Sequence, residues 1–297
     1  LRDAGFASLR MIEIAADFGG TWYWNRYPGV QCDIESYIYL PLLEELGTMP
    51  SLKYAYGPEI LAHAQALGRH YDLDRDALFQ TQATRLAWDD AAARWQIETD
   101  RGDRLQARFV VVASGPLSKP KLPGIPGIDQ FEGHMFHTSR WDYAYTGGDT
   151  TGGLVGLRDK RVGVVGTGAT AIQVIPHLGE WSRSLHVFQR TPSSVDARRN
   201  TPTDEAWFRA QKPGWQAERI WNFSTTLSGG QLERDLVADG WTDIMRNLAG
   251  SMARRDGSAL SPEEIMAEVE LVDCQKMEEI RARVERIVRD PATAAAL

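Results

Sequence analysis

The chain has 297 residues, 43% of them hydrophobic and 25% charged, enough to bury the core of one large domain or two ordinary ones. A formal net charge of -7 argues against a general nucleic-acid surface, and two cysteines, Cys32 and Cys274, exclude a disulfide framework or a thiolate metal cluster. The longest apolar runs are short pieces such as FVVVA at 109–113, far below the roughly 20 residues of a membrane helix.

In chain order, Leu1 to Ala4 reads as the last turn of a helix stopped by Gly5, and Leu9 to Ala15 as a short strand. The chain opens without methionine and closes on DPATAAAL after a long helical pattern. The expectation is an internal piece of a larger enzyme; a small domain with ragged ends is the alternative. Gly57 to Tyr71 has a helical stripe of Ile60, Ala64 and Leu67, and Arg94 to Thr99 alternates as a strand. Arg108 to Ser114 is nearly continuous in apolar residues, which predicts a buried parallel strand ending in Ser114-Gly115-Pro116. The linker KPKLPGIPG follows at 119–127, where proline stops either neighbour from continuing. Arg161 to Val165, Ala169 to Leu178 and Ser184 to Phe188 then read as strand, helix and strand. Beyond about 200 the chain is polar and Trp-rich, then helical, with a good helix start at Ser261-Pro262-Glu263-Glu264 and apolar stripes through Ile265, Val269 and Val272. Trp207, Trp215, Trp221, Phe223 and Trp241 fit a substrate wall and an ordinary helical core equally well.

The chemistry-bearing stretches are three. Gly166, Gly168 and Ala171 form a G-x-G-x-x-A pattern directly after a strand and at the opening of a helix. The first glycine permits the tight turn, the second lets a pyrophosphate reach the backbone, and the alanine lets helix and strand pack closely. The helix N-terminus then offers free N–H groups to phosphate. The following strand ends in Gln189, Arg190 and Thr191 where an NAD site would carry an acid. Arginine pairs with a 2′-phosphate that a carboxylate would repel, so NADPH is the expected cofactor. Near the start, Glu13 suits the ribose of a second nucleotide, or is a surface strand residue. Residues 18–33, FGGTWYWNRYPGVQCD, combine flexible Gly19 and Gly20 with flat Trp22, Tyr23, Trp24 and Tyr27 and polar Asn25, Arg26 and Asp33. Four aromatics interleaved with Arg and Asn read as a ligand-facing loop rather than as core.

These residues resemble the class B flavoprotein monooxygenases, and within them the Baeyer–Villiger monooxygenases. The resemblance rests on GGTWYWNRYPGVQCDIES at 19–36, the GTGATA turn with FQRTP between 166 and 192, and FEGHMFHTSRWD at 131–142. The last fits the family fingerprint through Phe131, Gly133, His137, Trp141 and Asp142, with aspartate in the place often held by proline. The resemblance implies an α/β fold with two Rossmann-like dinucleotide-binding domains, the FAD domain incomplete, and a helical insertion. Residues 1–117 would be the partial FAD domain, 118–159 the linker with the fingerprint, 160–199 the start of the NADP domain and 200–297 its helical insertion. The implied reaction takes NADPH, O2 and a ketone to an ester or lactone through a C4a-peroxyflavin. FAD would be held by Glu13, Gly19, Gly20, Thr21 and Trp22, with Asn25, Arg26 and Asp33. NADPH would be held by Gly166, Thr167, Gly168, Ala169, Thr170 and Ala171, with Arg190 and Thr191. Asp33 is implied as the catalytic carboxylate beside the flavin. His137 is implied as a catalytic-site residue, and its place in a linker favours coupling of the domains over attack on substrate. Tyr39 would approach the substrate side. The family's first glycine turn and its active-site arginine would fall outside residues 1–297.

A sister enzyme that oxygenates nitrogen or sulfur, and a catalytically inactive nucleotide-binding fragment, are the alternatives. A flavin disulfide reductase lacks the paired cysteines it needs. The six histidines show no H-E-x-x-H spacing, so no metal is expected. The cofactors suggest a cytoplasmic enzyme with a small-molecule ketone as substrate and neither nucleic acid nor membrane as partner.

Overall fold

A computed structural model describes residues 1–297 apart from Asp3, Ala7, Pro116, Ser118, Gln231 and residues 254–260. Pro116 of the Ser-Gly-Pro turn therefore lies outside the described residues. The protein is α/β, with parallel strand pairs joined through helices and a mainly helical stretch from Glu205 onward. The chain forms two compact units that share the sequence alternately. One comprises Leu1–Val30 and Tyr56–Gly153, the other Gln31–Ala55 and Leu154–Leu297.

In the first unit the strand expected over 9–15 is shorter. Strand β1, Met11–Ile12, pairs in parallel with β2, Ala77–Leu78. Beyond it the backbone bonds continue, from Glu13 N to the Leu78 carbonyl at 3.0 Å and from Gln80 N to the Ala15 carbonyl at 2.9 Å. Gln80, at φ 51, leaves the extended region and ends the regular ladder. The helix end expected at the start carries the closing bonds of one, Gly5 N to the Arg2 carbonyl at 2.8 Å and Phe6 N to the Leu1 carbonyl at 3.1 Å, with Gly5 left-handed at φ 84. Helix α1, Gly57–His70, buries Ile60 and keeps Ala64 and Leu67 half-buried, as its stripe predicts. Strands β3 (Ala83–Asp89), β4 (Arg94–Thr99) and β5 (Arg104–Ala107) form an antiparallel meander. Trp88 faces Trp95 across it, ring centroids 5.6 Å apart.

Residues 108–114 correct the reading as a buried parallel strand. They carry no strand assignment, and Phe109, Val111 and Val112 are 69%, 76% and 71% exposed. An apolar run becomes a buried strand only when a neighbour takes its N–H and C=O groups and another layer covers its faces; among the described residues neither happens.

In the second unit, β6 (Arg161–Val165) and β7 (Ser184–Phe188) pair in parallel over five residues, from Arg161 opposite Ser184 to Val165 opposite Phe188. Between them α2, Ala169–Trp181, buries Ala171, Val174 and Leu178, the i, i+3, i+7 stripe of a helix laid on a sheet. Helices α3 (Trp215–Leu227), α4 (Gly240–Ala253) and α5 (Pro262–Ile287) follow. Ser261 and Glu264 close a capping box at the start of α5, with Pro262 in the first turn. The segment 31–55 packs in this unit, where Leu40 and Leu43 are fully buried; burying one leucine side chain is worth about 1.5–3 kcal/mol. Among the described residues no helix is long and apolar enough to cross a membrane.

Candidate functional site

The aromatic loop at 18–30 is shaped from its glycines. Gly19 stands at φ 135, a conformation that favours glycine, and a Cβ there would crowd Leu61 Cδ1 on α1 at 2.4 Å. One helical turn, Thr21–Trp24, follows. Asn25 Nδ2 returns to the Thr21 carbonyl at 2.9 Å, and Arg26 Nε donates to the Tyr23 carbonyl at 2.8 Å with its guanidinium over the Tyr23 ring. Asn25 and Arg26 thus brace the loop themselves. Glu13 Oε1 accepts from Ala15 N at 2.7 Å, a local turn bond that engages one carboxylate oxygen.

The fingerprint segment docks on this loop within the same unit. The Arg140 guanidinium lies 3.9 Å from the Trp24 ring centroid, a cation–π contact, and burial lowers its pKa. Tyr143 Oη donates to the Arg26 carbonyl at 2.6 Å, and burial pushes its hydroxyl pKa up. Trp141 Nε1 donates to Thr146 Oγ1, a fully buried threonine, at 3.1 Å. Asp142 caps the turn Tyr143–Thr146 by accepting from Tyr145 N, and its other oxygen lies 2.9 Å from His134 Nε2. The His134 ring stacks on Tyr145 at 3.9 Å. The capping role explains a carboxylate at the last fingerprint position, because proline has no side-chain acceptor. His137 caps the short turn Thr138–Arg140 through Nδ1, which accepts from Ser139 N at 3.1 Å and lies 2.8 Å from Ser139 Oγ. Its bonds are local.

In the second unit the glycine turn stands as its spacing predicts. Gly166, at φ 102, donates its N–H to the Phe188 carbonyl at 2.9 Å, tying the turn to the end of β7. Gly168 is the N-cap of α2, with no side-chain cap and nothing within 4 Å of where a Cβ would stand. No side chain caps the first N–H groups of α2. Thr167 Oγ1 donates to the Thr191 carbonyl at 3.4 Å, joining the two motif halves. Arg190 is exposed and, among the described residues, makes no hydrogen bond or ion pair.

Asp33 belongs to this second unit, on the segment 31–55, whereas Glu13 and residues 19–26 belong to the first. Its backbone carbonyl accepts from Trp241 Nε1 at 2.9 Å, and its carboxylate makes no hydrogen bond or ion pair among the described residues. Cys32 beside it is buried, and burial pushes its thiol up to about 11. Sequence reasoning did not single out Arg140, Tyr143, Arg219 or Glu35. The Arg-Trp-Asp run of the fingerprint was the available signal for the first two; the partners of the last two are far apart in sequence.

No protein-family model matches the sequence. A Baeyer–Villiger monooxygenase of Streptomyces coelicolor is 54% identical over 297 residues, 99% of this chain and 49% of that protein. The polycyclic ketone monooxygenase of Thermothelomyces thermophila superposes with a TM-score of 0.89 at 43% identity, over 100% of this chain and 50% of that one. A complex of OTEMO with FAD and NADP superposes at 0.72 with 29% identity, over 99% and 56%. The chain spans about half the length of the curated relatives it matches.

Proposed function

We propose that this chain is part of a class B flavoprotein monooxygenase, and that it carries FAD- and NADPH-binding elements of an enzyme that oxygenates a ketone to an ester or lactone. The observation that carries the reading is the docking of the fingerprint segment onto the aromatic loop, through Arg140 on Trp24 and Tyr143 on the Arg26 carbonyl.

The residues fit the two cofactors. The uncapped start of α2 and the open space at Gly168 suit the NADPH pyrophosphate, and the unpaired Arg190 suits the 2′-phosphate. On this reading Thr167, Ala169, Thr170, Ala171 and Thr191 line that turn. Gly19, Gly20, Thr21 and Trp22 would border the flavin, with Glu13 at the ribose and Asn25 and Arg26 bracing the loop. When bound, FAD reduced by NADPH supplies the oxygen-activating chemistry. The chain's own part is placement and charge. Asp33 would hold a carboxylate beside the flavin, and the Trp24–Arg140 stack would keep the aromatic loop closed against water. His137 would shape the fingerprint turn through its bonds to Ser139 rather than exchange protons with substrate.

The test is product analysis in the full-length protein under ¹⁸O₂, offering a cyclic ketone, a tertiary amine and a thioether with NADPH or NADH. The expected outcome is a lactone that gains one ¹⁸O, formed faster with NADPH. Heteroatom oxides without lactone would place the enzyme with the N- or S-oxygenating members; no oxygenated product at all would falsify the reading.

A further inference from the structure

We propose that the buried Glu35–Arg219 pair is a positioning device for Asp33, so that α3, which carries no nucleotide-binding motif, acts on oxygen transfer through the strap at residues 31–36. The inference rests on the reading of Asp33 as the flavin-side carboxylate.

Glu35 is fully buried, two residues after Asp33. Arg219 on α3 meets it with two nitrogens, Nε on Oε1 and Nη2 on Oε2 at 3.0 Å, and Lys53 Nζ stands 3.9 Å away. The same guanidinium lies over the rings of Tyr37 and Trp207, at 5.5 and 5.4 Å. Burial pushes the Glu35 carboxyl up in pKa, while Arg219 and Lys53 pull it down. Such a pair is a poor route to stability, because desolvation consumes most of the attraction and apolar residues of equal volume do as well. What it does fix is orientation: a planar fork accepts a carboxylate in few geometries.

The rest of the strap is held in the same way, by its backbone. Arg198 Nη1 donates to the Cys32 carbonyl at 3.3 Å and Trp241 Nε1 to the Asp33 carbonyl at 2.9 Å. Ser36 N donates to the Lys53 carbonyl at 2.6 Å, and Ser36 Oγ to that of Leu52 at 2.9 Å. The main chain is clamped on both sides of Asp33 while its carboxylate stays unengaged among the described residues. That is the pattern of a group preorganised for something other than folding.

The experiment compares Arg219→Ala, Arg219→Lys and Trp241→Phe with wild type in the full-length, FAD-loaded protein. It reads FAD content, KM for NADPH, kcat on a cyclic ketone, and ester formed per NADPH consumed. Because about 1 Å of misplacement costs about 10²-fold in rate, Arg219→Ala is expected to lower kcat and the ester yield per NADPH about 10- to 100-fold, with KM for NADPH and FAD content within about twofold. Arg219→Lys recovers part of the loss. Trp241→Phe leaves a smaller aromatic ring at a position that is 45% exposed and removes the indole donor, so it lowers the ester yield at least about threefold with little change in Tm; it decides the matter should Arg219→Ala not fold. Wild-type ester yield in Trp241→Phe, or a loss of kcat in Arg219→Ala matched by lost FAD or NADPH affinity, overturns the proposal. A wild-type protein that makes no ester overturns the functional reading instead, and is seen before any variant is compared.

Discussion

Arg190 stands exposed after β7 without a partner among the described residues, so removing it disturbs no packing. A charge-assisted bond to a phosphate is worth about 1.5–3 kcal/mol, so Arg190→Ala should raise KM for NADPH about 10- to 100-fold. KM for NADH should change little, and equal effects on both cofactors would remove Arg190 from the 2′-phosphate site. The cysteines give a second check. Cys32 is buried with its thiol pushed up to about 11, while Cys274 is exposed. Of these two, Cys274 should react fast with a disulfide reagent near pH 8 and Cys32 only once the chain is unfolded; fast labelling of Cys32, read by peptide mass, would mean the strap around it opens readily. The sign of the linkage follows from the raised value. Burial of the neutral thiol contributes its full share of stability below the unperturbed 9.0, and that share is lost as pH rises from 9.0 to about 11. Arg190 was legible in the sequence because its role follows from a motif within a few residues. Arg219 was not, because its partner Glu35 lies 184 residues away and nothing local marks either residue as paired.

At the level of elements, the reading succeeded where period, turn and cap agree. β6, α2 and β7 follow from an apolar strand, two glycines and a stripe, and the structure reproduces both strand bounds. The start of α5 was legible for a similar reason, since Ser261, Pro262 and Glu264 each favour a helix N-terminus independently. Ser261→Ala should cost about 1 kcal/mol in a denaturant titration and Ser261→Asp should restore most of it; no change in either would mean that α5 is held by packing alone. Residues 108–114 misled because apolar composition reports what a segment could bury, whereas exposure of 71% at Val112 reports what has found a partner. The docking of the fingerprint was also beyond local reading. Gly133 and His137 shape their own turn, with the Phe131 ring folded back into the space a Gly133 side chain would take, whereas Arg140 and Tyr143 reach across to Trp24 and Arg26.

Over the whole molecule the chain passes between its two units after Val30, Ala55 and Gly153. This has a direct physical result. Residues 119–127 are exposed throughout, and trypsin should cut there after Lys121, Lys119 being followed by proline. Each fragment would then hold part of both units: 31–55 remains bound through Arg219 and Gln216, and 140–143 through Trp24 and Arg26. The nicked halves should elute together from a sizing column and part only in denaturant; separate elution under native conditions would contradict the interleaving. The same arrangement sets an order of events during synthesis. Glu35 is made 184 residues before Arg219, and at about 5–20 residues per second the ribosome needs roughly 10–40 s to deliver the partner. Through that interval Leu40 and Leu43 have no α3 to lie against, which makes this stretch of the nascent chain a natural target for a holding chaperone. The segment that carries Asp33 is secured only when partners 184 and 208 residues further along the chain have been made.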